Sequence, residues 1–206
     1  MAEKLTCRLA VLVSGNGTNL QAIIDSIAAG EINAVITCVI SNQPNAFAMQ
    51  RARQHGIPTV IHENIGFADR RAYDAATVEI LRSHQVNLVV LAGFMRILSD
   101  VMVDAFPHAI MNIHPALLPA FQGLHAQRQA LDYGVRFSGC TVHFVDGGTD
   151  TGPIILQAVV PVDQDDTEET LSHKIQHEEH RLFPTAVKLF AEGRLQVTGR
   201  SVRILP

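Results

Sequence analysis

The chain has 206 residues, 47% of them hydrophobic and 17% charged, with a formal net charge of -4. That length admits one large domain or two small ones, and the apolar fraction is ample for a full core. Low charge with scattered Lys and Arg argues against a general nucleic-acid surface and leaves small anions, held locally, as the charged partners to expect.

In chain order, short β-branched runs alternate with amphipathic segments, the pattern of βαβ units around a parallel sheet. Arg8 to Val13 reads as the first strand. It is far too short to span a bilayer and no charged-then-apolar leader precedes it, so a soluble, cytoplasmic protein without a membrane partner is expected. Leu20, Ile23, Ile24 and Ile27 then recur at helical spacing, and Gly30 closes that helix. Val35 to Ile40 is a second strand, Ala46 to His55 a helix that stops at Gly56, and Thr59 to Ile61 a short strand after Pro58. Asp69 can cap a helix in which Tyr73, Ala76, Ile80 and Leu81 share a face. It leads to Leu88 to Ala92, continuously apolar and therefore central, and Ile110 to Ile113 is another central strand. Beyond it the character changes. Cys140 to Val145 and Ile154 to Val162 read as adjacent strands in a mixed, longer-looped region. Thr167 to Ala191 reads as a long helix that Pro184 should kink or split. No repeat or linker interrupts the pattern. The expected fold is one α/β domain over 1–206, a Rossmann-like, mostly parallel sheet flanked by helices with a mixed C-terminal part. Cys7, Cys38 and Cys140 lie far apart without C-x-x-C spacing and read as reduced structural thiols.

The segment Ala109 to Gly123 carries the strongest chemical signal. Side chains alternate in a strand, so Asn112 and His114 leave its end on one side while Ile113 faces the core. An amide can donate to a developing oxyanion, and an imidazole can take and give a proton near neutrality. Pro115 and Pro119 stiffen the loop beyond the pair. The plain alternative is a satisfied histidine at a strand end. The loop Ser14-Gly-Asn-Gly-Thr-Asn19 opens a helix and offers unpaired N-H groups, a cradle for phosphate or simply a tight turn. It is no dinucleotide fingerprint, because the third glycine would fall at Leu20 and Ser41-Asn42 stands where a ribose-binding acid belongs. A nicotinamide oxidoreductase is thereby disfavoured. After His143, a glycine-rich loop holds Asp146 and Asp150, either of which could approach His114 and stabilise its protonated form. His173, His177 and His180 line up at helical spacing, but their polar surroundings suit a solvated or substrate-facing side better than a metal site.

Taken together, SGNGTNLQAIID, LAGFMRILS, MNIHPALLP, GLHAQRQAL and VHFVDGGTDTGPIILQ resemble the phosphoribosylglycinamide formyltransferases over nearly the whole chain, from Leu9 to about Gly193. The resemblance implies transfer of a formyl group from the co-substrate 10-formyltetrahydrofolate to the glycinamide amine in purine biosynthesis, without a metal. It assigns Asn112, His114 and Asp150 as the catalytic trio. Gly17, Thr18 and Asn19 would hold the phosphate. Gln176, His177, Glu178 and Glu179 would face the phosphoribosyl and glycinamide groups, Glu179 at the amine end. Met95, Arg96, Ile97 and Leu98, with Asp146, Gly147, Gly148, Thr149 and Asp150, would receive the pterin beside Asn112, and Arg70 the benzoylglutamate. Core packing is the plain alternative for Met95, Ile97 and Leu98, and a solvated helix charge for Arg70. A cis Leu118-Pro119 bond is also implied. Residues up to about 110 would then form the phosphoribosyl-binding half and 111–206 the catalytic and folate half of a monomer or weak homodimer acting on small molecules.

Related activities remain as rivals. A formyltetrahydrofolate deformylase shares the formyl-folate cleft but usually carries an extra N-terminal domain, whereas here the first strand begins by Arg8. A methionyl-tRNA formyltransferase would need a tRNA-binding domain and a basic surface. An inactive phosphosugar-binding module would not need Asn112, His114 and Asp150 together. Asp146-Gly-Gly replaces a more acidic run often seen in that loop, and the chain ends soon after Arg203 with a basic, apolar tail.

Overall fold

The computed structural model describes residues 6–206. Strands β1 (Cys7–Val13), β2 (Ala34–Ser41), β3 (Thr59–Ile61), β4 (Leu88–Leu91) and β5 (Ile110–His114) alternate with helices α1 (Thr18–Ala28), α2 (Phe47–Gln54), α3 (Arg70–Ser83) and α4 (Asp100–Ala105). Then come α5 (Ala126–Tyr133), β6 (Phe137–Phe144), β7 (Ile154–Pro161), α6 (Glu168–Ala191), β8 (Leu195–Thr198) and β9 (Ser201–Ile204). The strands form one sheet in the order β3-β2-β1-β4-β5-β6-β7-β9-β8. From β3 to β5 every pairing is parallel, while β6 runs antiparallel to both β5 and β7.

Alternation along β1 builds two cores. Leu9, Val11 and Val13 pack with apolar residues of α1, α2, α5 and α6, whereas Ala10 and Leu12 pack on the other face with those of α3 and α4. Because β1 leads outward to β2 and β3 while β4 and β5 extend the opposite way, the chain direction of growth reverses between β1 and β4. The loops leaving these two strands therefore flank the crevice where such sheets bind ligands.

Several expectations need adjustment. Asp69 does cap α3, accepting the Ala72 N-H, but the buried face is Tyr73, Thr77, Val78 and Leu81, with Ala76 and Ile80 only half-buried. The face is rotated because Asp74 turns inward to accept the Ser99 N-H at 2.5 Å, tying α3 to the start of α4. Helix α6 runs unbroken for 24 residues through Pro184, which is buried. Its lost N-H affects one rung of the ladder, and packing on α1, β6 and β7 holds the rest. The C-terminal tail is a hairpin, β8 and β9, turning at Gly199 with φ 58°. Helices α4 and α5, of six and eight residues, likewise lie outside the elements expected from the sequence. The cysteines are free and buried, and burial pushes the thiols of Cys7 and Cys38 up to about 11 and that of Cys140 to about 12. They stay protonated and inert near neutrality. Among the described residues no helix is long and apolar enough to cross a membrane.

Candidate active site

Asn112 and His114 lie on one face of β5, with Ile113 in the core opposite. The antiparallel neighbour sets His143 opposite Asn112 and Thr141 opposite His114. The loop after β6 folds back and brings Asp150 to the pair: its Oδ2 is 3.4 Å from His114 Nδ1, and its Oδ1 is 3.4 Å from the Asn112 amide nitrogen and 3.6 Å from His143 Nε2. The trio named from the sequence is thus one cluster. Asp146 is elsewhere engaged, accepting from the Gly148 N-H and the Thr151 hydroxyl, so of the two loop carboxylates Asp150 is the one that reaches His114.

Hydrogen bonds fix the proton positions. His114 Nε2 lies 2.8 Å from the Phe121 carbonyl, which can only accept, so Nε2 carries a hydrogen and Nδ1 is the nitrogen that gains or loses a proton. By the same logic His143 Nδ1 donates to the Phe144 carbonyl, leaving Nε2 to accept from the Asn112 amide at 3.2 Å. Burial pushes the Asp150 carboxyl up, but the Gly123 N-H at 2.9 Å, together with His143 donating from Nε2 in its protonated form and the positive charge of His114 and His143 when protonated, outweighs it and holds the group below its usual range. Phe121 and Asp150 both adopt left-handed backbone, φ 55° and 53°, unfavourable conformations concentrated where the imidazole is held. Thr141 anchors the loop beyond His114: its hydroxyl donates to Ala116 O and accepts from the Leu118 N-H and from Gln157. The Leu118-Pro119 bond is cis.

Beside the trio, cavities of about 100 and 630 Å³ share Asn112, Asp150, Arg96 and Ile97 in their walls. Met95 and Ile97 are 69% and 57% exposed on the rim, so core packing does not explain them; Leu98 is buried and does belong to the core on the α3 side. Arg96 lies over the Tyr73 ring at 4.4 Å, its Nε buried without a partner. Gly148 and Thr149 line the smaller cavity, and Gly147 is exposed at the loop tip. Arg70 is exposed on the first turn of α3 and lines neither cavity.

The other end of the site is the start of α1. It has no side-chain cap and its first ladder bond runs from Gln21 N to Gly17 O, leaving the N-H groups of Thr18, Asn19 and Leu20 without helical partners. Gly17 has φ 71°, and a Cβ there would fall 2.5 Å from that of Ala48, so both backbone and packing demand glycine. From α6, the Gln176 amide donates to Thr18 Oγ1 at 3.2 Å, and Glu179 Oε2 accepts from the Asn19 amide at 2.9 Å. Burial pushes the Glu179 carboxyl above its usual range, with only the Asn19 bond opposing. Of the four predicted α6 residues, these two face α1. His177 is exposed, and Glu178 pairs with Arg181 at 2.6 Å, which holds its carboxyl low.

Sequence reasoning missed several groups. His143 needs the antiparallel register to be recognised, and the Phe121 carbonyl leaves no trace in residue type. His180, grouped with His173 and His177, shares a cavity of about 490 Å³ with Thr18, Gln21 and Arg51, and its Nε2 is buried without a partner. Burial and the charges of His177 and Arg51 push it toward the neutral form. Arg51 donates to Asn16 O at 2.9 Å. No group of three or more His, Cys, Asp or Glu among the described residues is placed to hold a metal ion.

Residues 7–187 match the family model described as formyl transferase. The chain is 44% identical over 189 residues to the phosphoribosylglycinamide formyltransferase of Escherichia coli (strain K12), covering 92% of this chain and 89% of that protein. It is 48% identical over 188 residues to the trifunctional purine biosynthetic protein adenosine-3 of Drosophila melanogaster, where 90% of this chain spans only 14% of the relative's length. The crystal structure of glycinamide ribonucleotide transformylase 1 from Symbiobacterium toebii superposes with a TM-score of 0.96 at 52% identity, over 98% of this chain and 95% of that one. The family match runs from β1 into α6 and takes in Asn112, His114 and Asp150, and on that ground the chain belongs to the formyl transferase family.

Proposed function

We propose that the protein transfers the formyl group of 10-formyltetrahydrofolate to the amine of 5-phosphoribosylglycinamide, a step of purine biosynthesis. The observation that carries this is the convergence of Asn112, His114 and Asp150 beside a cleft of about 630 Å³, a size suited to a pteridine. The uncapped start of α1 suits the substrate phosphate, with Arg51 and His180 beside it. Gln176 and Glu179 supply the contacts to the ribose and glycinamide. The pterin sits between Met95 to Leu98 and the loop Asp146 to Asp150. Arg70 meets the outer benzoylglutamate end and contributes least.

Chemistry follows from the proton positions. The neutral amine attacks the formyl carbon, a C-N bond forms, and the carbonyl electrons move to oxygen. Protonated His114, through Nδ1-H, and the Asn112 amide donate to that oxyanion. The Asn112 amide bonds to Asp150 at 3.4 Å and His143 at 3.2 Å are long, so redirecting a hydrogen to substrate costs little. Asp150, held as an anion, favours the imidazolium and orders a water that carries the surplus amine proton to N10 as the C-N10 bond breaks. Products are the formylated amide and tetrahydrofolate. No covalent enzyme intermediate or metal is needed. The reading takes the protein as a monomer or weak homodimer of the cytoplasm.

The test is to mix the protein with 10-formyltetrahydrofolate, with and without glycinamide ribonucleotide, and follow tetrahydrofolate absorbance. Turnover is expected only with the ribonucleotide. Equal turnover without it would make the protein a deformylase, and no turnover in either arm a binding module.

A further inference from the structure

Ser14 stands between the two substrate regions and does not belong to either set of predicted contacts. It follows β1 and begins the loop to α1, and its backbone N-H donates to Gly93 O at 3.1 Å. Its hydroxyl accepts the Met95 N-H at 2.9 Å and donates to Asn42 Oδ1 at 2.6 Å, and Asn42 is buried just past β2. The loop that would hold phosphate and the strap that would cover the pterin are therefore tied by one side chain. The strap is also held by the Ser14 N-H on Gly93 O, by Arg96 over the Tyr73 ring, by buried Phe94 and Leu98, and at its far end, where Ser99 N-H meets Asp74. Between these anchors Met95 and Ile97 project into solvent.

We infer that Ser14 is a positioning residue that couples the two substrates: filling the phosphate loop sets the Met95 to Leu98 strap for the folate, and filling the folate cleft sets the loop. The inference rests on the formyl-transfer function proposed for the site. A hydroxyl that accepts from one loop and donates to a buried amide has both hydrogen-bonding directions committed, so movement of the α1 loop cannot leave Met95 unaffected. Thermodynamic linkage then requires the effect to be reciprocal.

The experiment is calorimetric titration of the intact protein with 5,8-dideazafolate, which carries no transferable formyl group, with and without saturating glycinamide ribonucleotide, and the converse titration. In the wild type each ligand is expected to tighten the other about fivefold or more, by the same factor. In Ser14→Ala the factor falls to about one while each ligand still binds alone, and Ser14→Thr, which keeps the hydroxyl, restores it. A merely structural role would weaken both ligands and leave the ratio unchanged. A wild-type factor of one, or an undiminished factor in Ser14→Ala with its circular dichroism intact, overturns the inference. Failure of the ribonucleotide to bind the wild type at all overturns the proposed function, and this inference with it.

Discussion

Asp150 and Glu179 are half-buried carboxylates at opposite ends of the proposed site, and their surroundings prepare them in opposite ways. Asp150 lies on a strained turn where the Gly123 N-H, and His143 and His114 when protonated, overcome its burial and hold its carboxyl below the usual range. Glu179 sits on an unstrained helix, is still more deeply enclosed, and has one amide donor, so burial wins and the proton is retained to higher pH. The comparison shows where the molecule has committed its electrostatics in advance. Around Glu179 the start of α1 has no side-chain cap, and Asn19 Oδ1 and His180 Nε2 are buried without partners, as is Arg96 Nε at the other end.

Removing the prepared anion should give the largest effect. Asp150→Asn, whose side chain also tolerates left-handed backbone, and His114→Ala are each expected to lower kcat by about a hundredfold or more while circular dichroism is unchanged. Full kcat in either variant would dissolve the contrast between the two ends. Next in size is a structural break at the other end. Gly17→Ala combines a positive φ with a clash against Ala48 and should destabilise the fold by about 2–4 kcal/mol in urea denaturation. A loss under about 0.5 kcal/mol would mean that the helix start is softer than its packing implies.

The two carboxylates can also be separated by pH. Glu179 has a raised pKa in the fold, so its stabilising contribution is full below the usual glutamate range and is lost as pH rises through the folded value. Glu179→Gln should therefore raise the melting temperature relative to wild type, by more at pH 8 than at pH 5, while raising KM for the ribonucleotide. Asp150 has the opposite sign: its contribution is present above the usual aspartate range and is lost as pH falls through its lower folded value. The stability gap between wild type and Asp150→Asn should be widest near neutrality and close on acidification below about pH 4. Taken as variant minus wild type, the stability difference should rise with pH for Glu179→Gln and fall with pH for Asp150→Asn, and a change of the same sign for both would refute the electrostatic contrast. The smallest effect belongs to Arg70→Ala, expected to shift stability by less than about 0.5 kcal/mol and KM for the folate by less than about threefold.

Legibility differs between the same two ends. In the parallel half each strand is a continuous apolar run and each longer helix a 3.6-residue pattern, so β1 to β5 are readable to within a residue or two, and the α1 loop with them. Asn112 and His114 emerge from period-two alternation at the end of one strand. Asp150 is one of two candidates in its loop, and composition cannot choose between them, because the choice is made by backbone folding back at Asp150 while Asp146 turns onto Gly148 and Thr151. The proposed division near residue 110 also has no clean counterpart in the site. Gln176 and Glu179 of the second half face α1, and Met95 and Ile97 of the first border the cleft beside Asp150.

By itself the sequence determined the α/β alternation, the loop Ser14 to Asn19 that opens a helix and the amide-imidazole pair, since each is written in residues near one another along the chain. The residue pattern left two carboxylates open and the family resemblance named Asp150; only the tertiary structure shows that it reaches His114, that His143 and the Phe121 carbonyl lie against the pair, and that Glu179 keeps a raised pKa while Asp150 keeps a lowered one. Those outcomes depend on strand register, on backbone carbonyls and on desolvation, quantities that arise when distant segments are packed together and have no value in an extended chain.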